Sequence, residues 1–569
     1  MARTVSIGVQ DFEKIISKNN FYVDKTYFIK DWWESDDEVT LITRPRRFGK
    51  TLNMNMIERF FSVKFKEQGE IFRGLNIWKE EKYRELQGTY PVIFLSFAGV
   101  KENNYDLAAY RICDILQELY TKNYFLLDSE VLTNDEKNMF KKMASCMGTE
   151  DAATAVHRLS DYMCRYYGKK AIILLDEYDT PMQEAFIHGY WDELVSLMRS
   201  MFNLTFKTNP YLERAIMTGI TRITKESIFS DLNNLKVVTT TSSKYAKCFG
   251  FTEDEVFAAL DEFGLSGQKN AVKQWYDGFT FGNISDIYNP WSIISYLDTK
   301  EFDIYWANTS SNGLVNKLIR EGDEEIKQTM EELLNGKSLV TDIDEQIVFS
   351  QLDNSISAVW SLLLTSGYLK VLKYTFDTSN LCRTYELALT NTEVLLMFRS
   401  MIKGWFSDRS PEYNKFVKAL LLDDKRAMNS YMNKVALKTF SSFDTGNHPS
   451  EYTEPERFYH GFVLGLMVDL SDRYSITSNR ESGFGRYDVM LEPKKISNDT
   501  NTTQKDNAII IEFKVHDSDD EATLKDTVSS ALAQIEDKKY DQILIAKGIP
   551  ADCIRKYGFA FEGKKVLIG

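Results

Sequence analysis

The sequence predicts an α/β protein of several domains: two separate α/β sheets with a largely helical stretch between them. Three observations lead there. Apolar β-forming runs alternate with amphipathic helical patterns through the first half, which fits a parallel sheet covered by helices. One of those runs leads into Gly-Lys-Thr and a later one ends in Asp-Glu. The C-terminal stretch then reads helix, three strands, helix, strand.

At 569 residues the chain has room for roughly three or four domains of ~150 residues. It is 43% hydrophobic and 27% charged, so large cores are available. The net charge of -14, from 69 basic and 83 acidic residues, opposes nucleic-acid binding over the whole surface and leaves room only for a local basic patch. Cys113, Cys146, Cys164, Cys248, Cys382 and Cys553 are scattered with no CxxC pair, which excludes a zinc ribbon or thioredoxin-type motif. Reduced thiols in a cytoplasmic compartment are expected. The opening MARTVSIGVQ lacks the apolar core of a signal peptide. Ala171–Leu175 and Phe462–Val468 are too short to cross a bilayer, so no membrane association is expected.

Ser6–Ile16 and Phe21–Trp33 come first, with Trp32 and Trp33 expected as packing residues. Leu41–Thr51, LITRPRRFGKT, reads as a strand, a stiff basic loop and the start of a helix that continues through Leu52, Met56 and Phe60. Strand, loop, Gly-Lys-Thr, helix is the order of a phosphate-binding P-loop, in which loop N–H groups and a helix N-terminus face an anion. Lys50 would reach the β- and γ-phosphates, and the Thr51 hydroxyl would sit on Mg²⁺. Arg44 stands where the usual pattern has its first glycine. Tyr90–Phe97 is the next buried strand; Asn104–Lys122 and Thr149–Tyr167 are amphipathic helices, with His157 a surface or packing residue.

Ala171–Asp179, AIILLDEYD, is a buried strand ending in two acids. Asp176 would hold Mg²⁺ and Glu177 would polarise the attacking water. Two further strands follow at Glu213–Gly219 and Lys236–Thr240. Thr218, at the end of the first, is a candidate sensor of the γ-phosphate. Arg222 beyond it is a candidate to neutralise transition-state charge, with a structural ion pair as the alternative.

The stretches IGVQDFEKII, FYVDKTYFIKD, LITRPRRFGKTLNMNM, ILLDEYDTP, TGITRITKESIFS, GFTEDEV, WYDGFTFG and YNPWSI resemble the AAA-ATPase-like domain of a large bacterial and archaeal family. The resemblance covers residues 1–300 and implies ATP and Mg²⁺ as cofactors. It also implies a binding loop of Arg46, Arg47, Phe48, Gly49, Lys50 and Thr51, since that family carries the same Arg-Pro-Arg-Arg-Phe-Gly-Lys-Thr. The glycines of Trp275–Gly282 and Pro290 fit turns.

Residues 301–450 form a helical region. Val315–Ile319 and Met330–Leu334 look helical, and Val359–Lys370 runs from helix through a turn into a strand that Tyr385–Leu389 can partner, a winged-helix-like order. Packing or partner contact is favoured over DNA binding there, because the stretch is not strongly basic. Phe440–Ser450 reads as a linker.

Residues 451–569 begin with a helix over Glu454–Leu470. Strands follow at Tyr474–Asn479, Val489–Leu491 and Ala508–Val515, then a helix at Thr523–Lys538 and a strand at Gln542–Ala546. In a strand, alternate side chains share a face, so Glu512 and Lys514 point the same way. If Val489–Leu491 and Ala508–Val515 pair as a hairpin, Asp488 joins them. The two carboxylates could then share one Mg²⁺, and Lys514 could stabilise developing negative charge. With FYHGFVLGL, SNRESGFGRYDVML and IIIEFKV, this αβββαβ stretch resembles the restriction-endonuclease-like PD-(D/E)xK domain usually attached to the same ATPase family. The resemblance implies an acid at Glu456, as a further metal ligand, and a catalytic polar residue at Gln534. His460 and His516 are expected as non-ligands, since a zinc site wants more His or Cys groups than are present.

Together these readings lead to an ATP-binding and hydrolysing protein coupled to a Mg²⁺-dependent nuclease-like domain. Its partner would be nucleic acid, DNA ahead of RNA. The alternative is an ATP-gated regulatory or partner-assembling switch whose nuclease-like domain binds without cutting. A homo-oligomer or a separate protein partner is left open.

Overall fold

The computed structural model describes residues 2–569 except 208, 222–228, 230–231, 308–312, 323, 345–351, 353–354, 378–381, 408–410, 444–460, 464, 467, 472, 483–484, 495–505, 518–520 and 563–564. The chain divides into two compact units. One is Met1–Ser311 with Ser338–Leu395; the other is Asn312–Lys337 with Leu396–Gly569. The region expected over 301–450 is therefore shared between them. No helix among the described residues is long and apolar enough to cross a membrane.

The first unit is built on five parallel strands: β1 (Val39–Thr43), β2 (Val92–Ser96), β3 (Ala171–Asp176), β4 (Leu212–Gly219) and β5 (Leu235–Val238), in the order β2-β3-β4-β1-β5. Every residue of β1 and β3 is buried, as expected for strands covered by helices on both faces. The order matters for the site. With β4 between β1 and β3, the ends of all three strands meet at the carboxyl edge of the sheet, where α/β folds bind ligands. The expected helices are present at Lys50–Phe61, Tyr105–Lys122 and Thr149–Tyr167. Trp32 is fully buried, and Trp33 lies tilted against Phe61 and under Arg214. His157 lies edge-on to Tyr211.

A small antiparallel sheet follows: β6 (Phe251–Thr252), β7 (Phe279–Phe281) and β8 (Ile284–Tyr288), in the order β6-β8-β7. It carries the chain into the Pro290–Thr299 helix, whose first turn accepts Pro290 because that N–H needs no partner. Gly278 has φ +128, and a Cβ there would lie 2.1 Å from the Thr390 carbonyl. Gly278→Ala is therefore expected to destabilise this unit by roughly 2–4 kcal/mol, read as a lowered denaturation midpoint.

The helix Ile356–Thr365 leads into β10 (Leu369–Asp377) and β11 (Cys382–Leu389), with β9 (Leu339–Thr341) completing the sheet β10-β11-β9. Just beyond β11, Glu393 is fully buried. Its carboxylate accepts from Ser292 Oγ at 2.8 Å and from the Trp306 and Ala307 N–H groups at 2.6 and 3.4 Å. Burial outweighs these bonds and pushes its pKa from 4.5 up to about 7. The folded chain then binds more protons than the unfolded chain between those values, so stability falls as pH rises through that window. Glu393→Gln, which keeps the acceptor oxygen, is expected to flatten the pH dependence of the denaturation midpoint there.

The second unit holds the sheet β12-β13-β14-β15-β16, formed by β12 (Tyr474–Ser482), β13 (Gly485–Pro493), β14 (Ala508–Val515), β15 (Ile554–Glu562) and β16 (Lys565–Ile568). Residues 461–463, 465–466 and 468–470 are helical, with Phe462 and Leu466 fully buried. Glu454–His460, the start of the expected helix, lies outside the described residues. Gln542–Ala546 is a short helix rather than the expected strand. Gly548, at φ +88, follows it, and the strand after the Leu524–Asp537 helix is instead β15, parallel to β14.

The helix Lys425–Phe443 closes the β16 edge through two side-chain amides. Asn429 pairs with both peptide groups of Ile568, at 2.8 Å each. Asn433 does the same for Val566, at 2.6 and 2.9 Å.

Candidate functional site

The first site lies at the carboxyl ends of β1, β3 and β4. Thr51 lies in the first turn of the Lys50–Phe61 helix, and its hydroxyl donates to Asp176 Oδ2 at 2.7 Å. The Thr218 hydroxyl, at the end of β4, donates to the other oxygen of the same carboxylate. Asp176 is fully buried; burial raises its pKa, while the Thr218 and Thr51 hydroxyls oppose the shift. Lys50 Nζ donates to the carbonyls of Arg44 and Pro45, both at 2.9 Å. Burial lowers the Lys50 pKa against the pull of Glu177, Asp176 and Asp179.

Two residues here hold left-handed backbone without being glycine: Arg47 at φ 66 and Glu177 at φ 50. Such strain costs on the order of 1–3 kcal/mol and concentrates where function holds a chain in place. Both residues line a cavity of about 330 Å³ together with Arg46, Gly49, Lys50 and Thr51. Ile7, Val9, Trp291 and Ile294 supply apolar wall to the same cavity. One space thus combines cations, a carboxylate and an apolar surface, as a nucleotide requires.

The loop's departure from the usual glycine has a physical account. Arg44 is fully buried, and its guanidinium donates to the carbonyls of Thr43 at 2.9 Å, Thr239 at 2.6 Å and Lys244 at 3.3 Å. It also lies 4.5 Å from the centre of the Phe281 ring. Burial pushes its pKa down to about 10. Arg44 therefore pegs the loop to the strand ends. Phe48 is absent from the cavity wall described above; its ring is buried against Phe279 and Phe281, at 4.8 and 5.3 Å between centres. Arg222 lies outside the described residues.

The second site is on β13 and β14. Their antiparallel register, Val489 opposite Ile511, sets Asp488 beside Glu512. The Asp488 N–H donates to Glu512 Oε2 at 3.4 Å, and the Phe513 N–H donates to Asp488 Oδ2 at 2.7 Å. Glu512 is buried; burial first, and the Asp488 charge second, push its pKa well up. Gln534 Nε2 donates to Glu512 Oε1 and, at 3.3 Å, to the Tyr540 hydroxyl. Lys514 Nζ donates to Ser530 Oγ at 2.9 Å.

The spacing explains how one helix serves both residues. Two strand residues span ~6.6 Å and four helical residues ~6 Å. Gln534 and Ser530, four apart on the Leu524–Asp537 helix, thus reach Glu512 and Lys514, two apart on β14. Two carboxylates of which the buried one resists ionising alone, with a lysine beside them, form a donor set that suits a hard divalent cation. His516 Nδ1 is 2.9 Å from Thr527 Oγ1, with Glu521 at 3.5 Å, away from this set. Glu456 lies outside the described residues.

Two family models match this chain. Residues 6–229 match the family model described as predicted AAA-ATPase, and residues 454–569 match the PD-(D/E)XK nuclease superfamily. The chain carries an AAA-ATPase-like domain and a PD-(D/E)XK nuclease-superfamily domain.

A curated relative, "Uncharacterized protein in vnfD 5'region" of Azotobacter chroococcum mcd 1, is 25% identical over 324 residues. That alignment covers 56% of this chain and 56% of the relative, so the chain spans little more than half of its length.

Within the first unit, sequence reasoning passed over Asp179, Gln183 and Asn289. Asp179 Oδ2 accepts from the N–H groups of Ile220 and Thr221, both at 2.9 Å, and clamps the chain leaving β4. Asn289 caps the Trp291 helix and donates to the Arg46 carbonyl at 3.1 Å, tying the basic loop to the apolar wall. In the PD-(D/E)XK domain the residue passed over is Ser530. Only its placement four residues before Gln534 signals it.

Proposed function

We propose that the AAA-ATPase-like domain binds and hydrolyses ATP and that the PD-(D/E)XK domain cuts nucleic acid, with DNA the favoured substrate and the first activity governing the second. The observation that supports this reading most is the gathering of Asp488, Glu512 and Lys514 on one face of a two-strand pairing.

At the nucleotide site, Thr51 and Asp176 would hold magnesium, as Asp488 and Glu512 would at the other site. Bound magnesium supplies positive charge to phosphoryl oxygens at either place. Lys50 turns from its own loop carbonyls to the β- and γ-phosphates. Glu177 orients the attacking water and accepts its proton, while Thr218 holds Asp176 in place. The base rests against Ile7, Val9, Trp291 and Ile294. In the PD-(D/E)XK domain, Lys514 orients water against the scissile phosphate and steadies the charge that develops there. Gln534 and Ser530 keep Glu512 and Lys514 in line.

The test is ATP turnover and magnesium-dependent digestion on one purified sample, with single- and double-stranded DNA and RNA present or absent. ATP turnover with digestion supports the reading. Turnover without digestion of any substrate, under conditions where the protein binds nucleic acid, favours the non-cutting switch.

A further inference from the structure

The basic loop carries three arginines close in sequence, and the structure sends them to different places. Arg44 is spent on the carbonyls of Thr43, Thr239 and Lys244 and is fully buried. Arg47 is exposed, with its guanidinium 4.2 Å from the centre of the Trp291 ring, on the apolar side of the cavity. Arg46 lies toward the acidic strand end. Its Nη2 donates at 3.3 Å to Gln183 Oε1, and Gln183 Nε2 in turn donates at 3.0 Å to Asp179. Gln183 sits on the helix that begins just after Glu177, whose carboxylate accepts from the Thr180 hydroxyl at 3.2 Å. Arg46 and Glu177 line the same cavity as Lys50.

We infer that Arg46 is a catalytic residue acting in cis: a cation supplied by the phosphate-binding loop itself to the γ-phosphoryl group as charge develops on it. The inference rests on the nucleotide reading above. In the reaction, a water oxygen bonds to the γ-phosphorus and the bond to the β–γ bridging oxygen breaks. The water proton passes to Glu177, and the electron pair leaves on the diphosphate. Negative charge gathers on the bridging and γ oxygens at that moment.

Three features equip Arg46 for this. Its backbone is pinned, because its carbonyl accepts from Asn289 Nδ2 at 3.1 Å. Its guanidinium donates to the neutral amide oxygen of Gln183 at 3.3 Å, and a phosphoryl group offers it a charged, bidentate acceptor in the same cavity. It also lines the same cavity as Lys50, beside the loop's Gly49 and Thr51. Two cations held within reach of each other in a walled cavity form a site completed by a polyanion. Gln183 is then a positioning residue, holding the guanidinium on the Glu177 side until a triphosphate arrives.

The experiment compares wild type, Arg46→Ala and Arg46→Lys. It measures kcat for ATP, the Kd of a non-hydrolysable ATP analogue, and trapping of ADP with aluminium fluoride, which mimics the transferring phosphoryl group. Arg46→Ala is expected to lose kcat on the order of 10³-fold and to stop trapping the fluoride complex, with analogue affinity changed only a few-fold. Arg46→Lys is expected to recover only part of the loss, because a point charge cannot bridge two oxygens. Wild-type kcat per chain is expected to stay constant on dilution. Retained turnover and trapping in Arg46→Ala overturn the inference. So does an equal loss of analogue affinity, or a wild-type rate per chain that climbs with concentration and is restored to Arg46→Ala by adding Lys50→Ala chains, since the cation would then come in trans. A wild type that binds no nucleotide overturns the nucleotide reading first; failure of the Arg46 variants alone leaves that reading standing.

Discussion

A Lys514→Ala chain is expected to keep its ATP turnover and lose magnesium-dependent cleavage by on the order of 10²–10³-fold. The ammonium is held at 2.9 Å by Ser530, on the same strand face as Glu512, so it is aimed before any substrate arrives. Its removal takes away the one cation of the set while leaving both carboxylates. Asp488→Ala is expected to abolish cleavage by a different route. It removes the acceptor of the Phe513 N–H and one of the two carboxylates, so the cation loses one of two anchors. The two variants separate in calorimetry with Mg²⁺ alone: Asp488→Ala loses metal affinity and Lys514→Ala keeps it. Nicking that survives in both variants, in a clean preparation, would show that the catalytic residues lie elsewhere.

The complementary result is expected at the other end of the chain. Lys50→Ala is expected to remove ATP turnover by at least ~10²-fold while leaving a folded protein. The lysine's present partners, two carbonyls of its own loop, are local, and their loss costs far less than the loss of its interaction with phosphate. A readout independent of turnover is thermal stabilisation by ADP or a non-hydrolysable ATP analogue. A ligand at 100 times its Kd stabilises the wild type by ~2.7 kcal/mol, and the Lys50→Ala chain is expected to show little of that gain. Stabilisation equal to wild type would place the phosphates away from this loop.

How far the sequence anticipated these sites follows from what each feature depends on. β1 and β3 were legible because a strand buried on both faces must be apolar throughout, and the motifs at their ends are contiguous. The Asp488–Glu512 pairing was legible because strand periodicity is strict once a hairpin is assumed. Gln542–Ala546 was not. A run of five residues shows no period, and the left-handed Gly548 that ends the following turn is equally at home after a strand. Gln183 and Asn289 were invisible for another reason. They meet Arg46 across 137 and 243 residues, and nothing local marks an amide as the partner of a distant loop. Arg44 drew notice only as a departure from a pattern. Its role as a buried peg depends on carbonyls of Thr239 and Lys244 that arrive about two hundred positions later.

The amides of Asn429 and Asn433 carry a consequence for self-association. The outward peptide groups of Val566 and Ile568 would otherwise be a template for a strand from another chain, the usual route to domain swapping and fibrous aggregates. A helix with asparagines four apart satisfies them instead, so an invading strand must first break four hydrogen bonds worth about 0.5–1.5 kcal/mol each. That rim of the sheet is sealed against recruitment, and any assembly of copies through this unit has to use another face.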